Sequence, residues 1–432
     1  MKEMKESNSL ILGLIPASWS SSKLKYCLKE PMKYGASEAG IDYDDTLPRY
    51  IRITDITSDG KLKDENKLSL GEKQSIGYIL KDNTVLFARS GGTVGKTFLY
   101  RESFGKAAFA GYLISAVTEP TKMLPEWLIY FSNSSCYWEW VNQIFTQATI
   151  QNIGADKYSN MPIPIAPIEV QKRIISYLDL KCSEIDGLSS NIQSEIDTLE
   201  AYKQSVITEA VTRGLDKTVS MKDSGTPWCP KIPVHWKKTN PKALFTQRYD
   251  RAFKNERQLT ASQEYGIVYQ DEYMETTGNR VVTVLKDFSI LKHVEPGDFV
   301  ISMRSFQGGL EYSEVKGCIS SAYVMLIPNK DLVYPPFYKW FFKSSKYINA
   351  IQSTSNLVRD GQAMRYANFI QVPLFIIPFD EQRRIAEYLD DKVSEISEII
   401  KTKQEQLIIL SDYKKSLIYE YVTGKKEVPA NG

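Results

Sequence analysis

The stretch Ser90–Thr97 reads SGGTVGKT and ends in the Gly-Lys-Thr of a phosphate-binding loop. A P-loop requires G-x-x-x-x-G-K-[ST]: a glycine-rich turn that opens a helix, so that main-chain amides cradle phosphate oxygens. Here Ser90 occupies the place of the first glycine. The residues after Thr97, FLYRESFGKAAFAGYL, read as strands and a turn rather than a helix. No Walker-B strand in a βαβ series follows. The stretch therefore makes a poor nucleotide site. A flexible glycine loop between Arg89 and Lys96 suits close approach to a DNA backbone, and it equally suits a plain hairpin turn.

Two further patterns could carry catalysis. YPPF (Tyr334–Phe337) has the outline of an adenine methyltransferase [DN]-P-P-[YF] motif. That chemistry needs a polar acceptor for the target amine at the first position, and Tyr334 is a poor substitute. A proline start to an aromatic helix accounts for the same residues. PGD (Pro296–Asp298) followed by EVK (Glu314–Lys316) has the order of a nuclease PD…E-x-K site, a pattern that chance supplies readily in a chain with 25% charged residues. Neither His235 nor His293 stands in a nucleophile or carboxylate constellation. The five cysteines are scattered with no C-x-x-C pair, which argues against a thiol metal site and suits reduced cytosolic thiols.

With 432 residues and 42% hydrophobic content the chain is expected to form two or more packed domains. Its net charge of +2 means that any nucleic-acid contact must come from local basic patches. No apolar run approaches the roughly 20 residues of a membrane span.

The elements that must position such patches are announced by a repeat. PIPIAPIEVQKRIISYLDLKCSEI, from Pro162, aligns without a gap with PLFIIPFDEQRRIAEYLDDKVSEI, from Pro373. The same offset pairs Gln171 with Gln382, Arg173 with Arg384, Asp179 with Asp390 and, further on, Tyr202 with Tyr413. Upstream, IPASW (Ile15–Trp19) is echoed by IPVHW (Ile232–Trp236). Each repeated segment starts after prolines and carries acids in its first turn, Glu169 in one and Asp380 with Glu381 in the other. Apolar residues recur at sevens: Leu178, Ile185, Ile192, Leu199 and Val206, widened by Leu188 and Ile196. The second copy has Leu389, Ile396, Ile399, Leu407, Leu410 and Leu417. Gly214 and Gly424 stand where the patterns stop. A helix from Glu169 to Thr212 would be roughly 65 Å long. One narrow stripe over that length calls for a partner helix, and the copy in the same chain, running antiparallel, is the nearest.

Between these helices lie segments such as RYIRITDI, NTVLFARS, FAGYLISAV and GDFVISMRS, which read as short strands and turns with a few short helices. Two mixed α+β domains of about 150 residues each follow. The expected division is 1–160 and 215–371 for these domains, and 161–214 and 372–432 for the helical segments.

The chain resembles the specificity (S) subunit of Type I restriction–modification enzymes. The resemblance rests on the duplicated P-x-x-E-x-Q-[KR]-R-I helix starts, the IP-x-x-W lead-ins, KDSGTPWCPKIPVHW, RSGGTVGK and RYIRITDI. It implies an α+β architecture of two target recognition domains, each reading one half of a split site in double-stranded DNA, joined by two helices in an antiparallel coiled coil with an internal pseudo-two-fold axis. It implies two methyltransferase (M) subunits docked on that frame, with motor–nuclease (R) subunits joining them. S-adenosylmethionine, ATP and Mg would belong to those partners, so this chain is expected to be non-catalytic, cytoplasmic and free of cofactor and metal. A scaffold for protein partners, with two domains on a coiled-coil stalk, is the second reading. Base readout needs long polar side chains. The candidates are Arg52, Arg89, Ser90, Thr93, Lys96, Gln147, Thr149 and Asn152 in the first domain, and Arg304, Ser305, Gln307, Arg359, Gln362 and Arg365 in the second. Arg173 and Arg384 are the candidates for gripping partner subunits.

Overall fold

The computed structural model describes residues 3–57, 60–146, 152–284, 288–302, 305–354 and 364–429. The chain forms two compact units. One contains Met1–Ile192 and Glu405–Gly432, the other Gln193–Gln404. This differs from a segment-by-segment division: each unit takes part of both long helices.

In the first unit, strand β1 (Ser20–Lys23) leads into β2 (Lys33–Tyr34). A four-stranded sheet is then built from β2, β3 (Thr84–Ala88), β4 (Thr97–Tyr100) and β5 (Leu113–Val117), in the order β2-β5-β3-β4. β3 reads TVLFA and is buried throughout, as an unbroken apolar and β-branched run requires. Helices α1 (Pro125–Ser132) and α2 (Ser135–Thr146) cover the sheet. β6 (Pro162–Ile165) pairs antiparallel with β1 and delivers the chain to α3 (Ile168–Arg213), a helix of 46 residues. A second sheet, joining Arg49–Ile51 in parallel to Ala107–Phe109, extends the unit with its own small core around Phe98 and Phe109.

The second unit repeats the plan. β7 (Lys237–Thr239) leads in. β8 (Phe245–Arg248), β9 (Phe299–Ile301), β10 (Glu311–Tyr312) and β11 (Val324–Pro328) form a sheet in the order β8-β11-β9-β10. α4 (Pro335–Phe341) and α5 (Ser345–Gln352) cover it. β12 (Leu374–Ile376) pairs with β7, and α6 (Phe379–Val422) follows for 44 residues. The expected proline start at YPPF is thus found: Pro335 opens α4.

The two long helices run antiparallel. In the first unit the Tyr177 and Tyr421 rings lie 4.7 Å apart, and Asp186 pairs with Lys414 at 2.6 Å, so one helix ascends as the other descends. In the second unit Ile385, Leu389 and Val393 share a core with Val206 and Val211, while Lys403 pairs with Glu195. The seam follows alternating three- and four-residue steps through Leu178, Cys182, Ile185, Ser189, Ile192, Ile196, Leu199, Lys203 and Val206. Leu188 and Ile399, expected to widen the stripe, are 53% and 41% exposed. The neighbouring residues Ser189 and Ile400 hold their places, because a two-helix seam has width for only a narrow stripe. Both helices end at a glycine in the left-handed region, Gly214 at φ +73° and Gly424 at φ +72°. A side chain at Gly424 would strike Pro16 and Trp19, and one at Gly214 would meet Glu381, which accepts the Trp236 indole hydrogen at 3.1 Å. Each helix therefore ends tucked against one of the repeated IP-x-x-W lead-ins.

Candidate nucleic-acid interface

The Ser90–Thr97 stretch is the turn between the antiparallel strands β3 and β4, whose register pairs Phe87 with Thr97. A helical turn of three residues, Gly91–Thr93, occupies its tip. A strand follows Thr97, and the Thr97 hydroxyl lies 2.7 Å from that of Ser132. Gly95 adopts φ +85°, a Cβ there would come within 3.1 Å of the Trp138 ring, and its carbonyl accepts the Tyr137 hydroxyl. Backbone amides are not gathered at a helix start, so the loop lacks the feature by which a P-loop holds phosphate.

At the mouth of this hairpin the chain returns just before α3. Ser90 and Asn152 form a β-bridge, and the Ile153 amide donates to the Arg89 carbonyl at 2.9 Å. The Arg89 Nε donates to Asn152 Oδ1 at 3.3 Å. The Arg89 guanidinium carbon stands 4.7 Å from the centre of the Tyr34 ring, and the Tyr34 hydroxyl accepts the Ala155 amide at 2.9 Å. Three expected residues, Arg89, Ser90 and Asn152, are thus brought together, and Tyr34 joins them from an edge strand. Nothing in the sequence around Tyr34 signals this, because the contact is made only when β2 pairs with β5.

The other candidates are placed differently. Arg52 is held by Asp55, through Nε to Oδ2 at 3.0 Å and a terminal nitrogen to Oδ1 at 2.7 Å, and also donates to the Asn66 carbonyl. Asp55 is buried, and this hydrogen-bonded pair shapes the turn after Arg49–Ile51. Thr93 and Lys96 are half-buried, and Lys96 lines a groove with Trp138, Glu139 and Asn142. Ser305, expected to face DNA, is buried instead. Its hydroxyl accepts the Ser302 amide at 2.8 Å, which closes the turn entering Ser305–Gly308 and faces the side chain inward. Arg365 is exposed at the start of the turn Tyr366–Phe369. Of Gln307 only the main chain is described. Gln147, Thr149, Arg304, Arg359 and Gln362 lie outside the described residues. Arg173 and Arg384 are both exposed, on the helix faces away from the seam.

Sequence reading aligned Gln171 with Gln382 but gave them no role. Both are fully buried. Gln171 accepts the Leu124 amide at 3.0 Å and donates to the carbonyls of Lys122 and Ala166. Gln382 accepts the Tyr334 amide at 2.8 Å and donates to those of Leu332 and Ile377. Each glutamine thereby locks the first turn of a long helix to the loop entering the aromatic helix of its recognition fold. Trp127 and Trp228 add indole hydrogen bonds to the carbonyls of Pro164 and Pro373.

Residues of the PGD and EVK segments are held by neighbouring side chains. Asp298 is buried and accepts two bonds from Arg248, at 2.7 and 3.0 Å, and one from the Glu295 amide, so both of its oxygens are engaged within the fold. Lys316 pairs with Glu295 at 2.8 Å, and this lysine together with His293 holds the Glu295 carboxyl below its ordinary range. Burial pushes the thiols of Cys182, Cys229 and Cys318 up to about 11, so they stay protonated and unreactive near neutral pH. Among the described residues no cluster of His, Cys, Asp or Glu has the form of a metal site, and no helix is long and apolar enough to cross a membrane.

Comparison with known proteins agrees with this arrangement. Residues 24–197 match the family described as the Type I restriction modification DNA specificity domain. The Type I restriction enzyme MjaVIII specificity subunit of Methanocaldococcus jannaschii is 20% identical over 81% of this chain and 80% of its own length. A second protein of that organism, provisionally named Type I restriction enzyme MjaX specificity subunit, is 23% identical over 96% of both chains. A solved chain from work on complex assembly and conformational transition of the type I R-M system shares the fold, with a TM-score of 0.68 over 95% of this chain and 99% of its own, at 14% identity. With its duplicated frame and paired long helices, the chain is similar to specificity subunits of Type I restriction–modification enzymes over most of its length, and residues 24–197 match the DNA specificity domain of those systems.

Proposed function

We propose that each unit reads one half of a bipartite, asymmetric DNA site, that the long helices set the separation of the halves, and that their exposed faces, Arg173 and Arg384 included, dock two methyltransferase subunits. The observation that carries this reading is the combination of one repeated frame with two unlike recognition folds. Gln171 and Gln382, Trp19 and Trp236, and Gly214 and Gly424 recur in kind and in role, whereas the loops at the sheet mouths do not. A duplicated frame suits two identical partners, and unlike readers suit two different half-sites. A helix of 46 residues is about 69 Å long, close to two duplex turns of about 34 Å, which leaves room for unread base pairs between the halves.

On this reading the chain is a non-catalytic cytoplasmic subunit. S-adenosylmethionine, ATP and Mg act in the methyltransferase and motor–nuclease subunits that join it. The engaged state of Asp298 and the protonated thiols support that assignment. The test is sequencing of methylated sites in host DNA with and without the gene. Loss of one bipartite methylated motif on deletion is expected. An unchanged methylome, in a host whose methyltransferase subunit is expressed, would remove the reading.

A further inference from the structure

We propose that Arg89 reads a guanine in the half-site of the first unit and that Tyr34 is its positioning residue, an inference that rests on the bipartite reading above. The placement of the Arg89 side chain carries it. Four arginines on the recognition folds are neutralised: Arg52 by Asp55, Arg248 by Asp298 and Asp250, Arg257 by Asp271 and Glu272, Arg101 by Glu126. Arg49 and Arg251 donate to main-chain carbonyls and, among the described residues, lack the stacking partner that Arg89 has. Among the described residues the partners of the Arg89 side chain are a neutral amide oxygen and an aromatic face. Neither cancels its charge.

Those two partners also fix its geometry. Asn152 takes the Nε hydrogen, which leaves the two terminal nitrogens as the donors still to be matched. The Tyr34 ring, 4.7 Å from the guanidinium carbon, restricts the plane in which they lie, and Tyr34 is itself pinned by the Ala155 amide. The main chain of Arg89 is held on both sides, by the Tyr112 carbonyl at 3.0 Å and the Ile153 amide at 2.9 Å. A planar fork presented from a rigid strand end, with its charge uncancelled, matches adjacent acceptors on one plane. In the major groove the guanine edge offers that pair, O6 and N7. A phosphate would match the fork as well, and the two ligands are separated by what each changes. A base contact alters preference at one position, whereas a phosphate contact alters affinity at all sites alike.

Arg257 shows what the same stacking does when the charge is cancelled. It lies 3.5 Å from the Tyr269 ring, yet its fork is occupied by two carboxylates. Stacking alone is therefore not the signal; stacking beside an uncancelled charge is.

The experiment replaces the chromosomal gene by variants and sequences the methylated sites made by the assembled enzyme. Arg89→Lys is expected to relax the preference for guanine at a single base pair of one half-site, by about 10- to 100-fold in methylation ratio, with the other half-site unchanged. Tyr34→Leu should relax the same base pair to a smaller extent, and Tyr34→Phe, which keeps the ring but loses its tether to the Ala155 amide, should relax it less still. A uniform fall at all sites with every base preference kept would overturn the proposal in favour of a phosphate grip. So would equal loss of all methylation by the three variants, which marks a packing role, or relaxation of different base pairs by Arg89→Lys and Tyr34→Leu. Absence of any bipartite motif in the wild type is a separate result and would sink the function reading itself.

Discussion

The helix seam of the first unit contains Cys182 and Ser189 where the repeat places Val393 and Ile400 in the second. Val393 and Ile400 are buried, at 9% and 4% exposure. Ser189 turns its hydroxyl back onto the Ile185 carbonyl at 2.9 Å, and Gly187, two residues earlier, stands where the second copy has Glu398. Around this seam the two units are alike: a buried glutamine at each helix start, a left-handed glycine at each helix end, and an aromatic donor to the strand entering each helix, Trp127 to the Pro164 carbonyl and Tyr338 to the Phe375 carbonyl. The lesson is that the main-chain locks are kept in duplicate, whereas the apolar layers between the rods have diverged. A hydrogen-bonded lock fails outright when one partner is lost, while a hydrophobic layer tolerates graded change.

That contrast can be broken or sharpened. The largest effect is expected at the locks. Gln171→Ala and Gln382→Ala each orphan three main-chain groups, so each should destabilise its own unit by about 2–4 kcal/mol. Denaturant unfolding measures the cost, and hydrogen exchange at the Leu124 and Tyr334 amides shows which unit opened. Costs differing by more than about 2 kcal/mol would mean that the duplicate locks do not do equal work. Next comes the seam. Ile400→Ser should cost about 2–3 kcal/mol in the second unit, and the reverse change, Ser189→Ile, should stabilise the first by about 1 kcal/mol. Equal melting of the two variants would show that the seam layers are not coupled to stability as argued.

A third effect belongs to the second unit. Glu311 is buried and pairs with Lys343 at 2.6 Å, and burial holds its carboxyl above the ordinary range despite that lysine. The folded state therefore binds its proton more tightly than the unfolded chain does. The stability Glu311 allows is fully present below the unfolded carboxylate range and declines as pH rises through its folded value. Lys343→Met should cost about 2 kcal/mol at pH 7, and the cost should shrink as the carboxyl protonates in acid. A cost independent of pH would show that the lysine stem, not its charge, matters. The smallest effect is at Gly187. A Cβ there meets open space, so Gly187→Ala should stabilise the first unit by about 0.5–1 kcal/mol, read as a rise in melting temperature.

Much of this fold was legible in the residues. Prolines, acids and the sevenfold apolar recurrence marked both long helices to within a residue or two, because these are local signals repeated over many turns. The pairing of the helices followed from the narrowness of the stripe. The seam itself was misread at Leu188 and Ile399, since a stripe one residue wider or narrower looks the same in one dimension. The candidate interface was legible in part. Arg89, Ser90 and Asn152 do meet. Ser305 had the same sequence context as Ser90 and also lies in the turn between two antiparallel strands, yet it faces inward because its hydroxyl is engaged by the Ser302 amide.

The sequence by itself determined that the chain carries one frame twice, that the frame is helical, and that the parts between are unlike. It determined these because periodicity and repetition are properties of neighbours along the chain. Which polar groups are engaged and which are left with uncancelled charge was decided only by the tertiary structure. Asp55 cancels Arg52, Asp298 cancels Arg248, and Tyr34 reaches Arg89 from a strand more than fifty residues earlier in the chain. Coulomb attraction, stacking and burial act through space over a few ångströms, and no local pattern of residues records which distant side chain will arrive there.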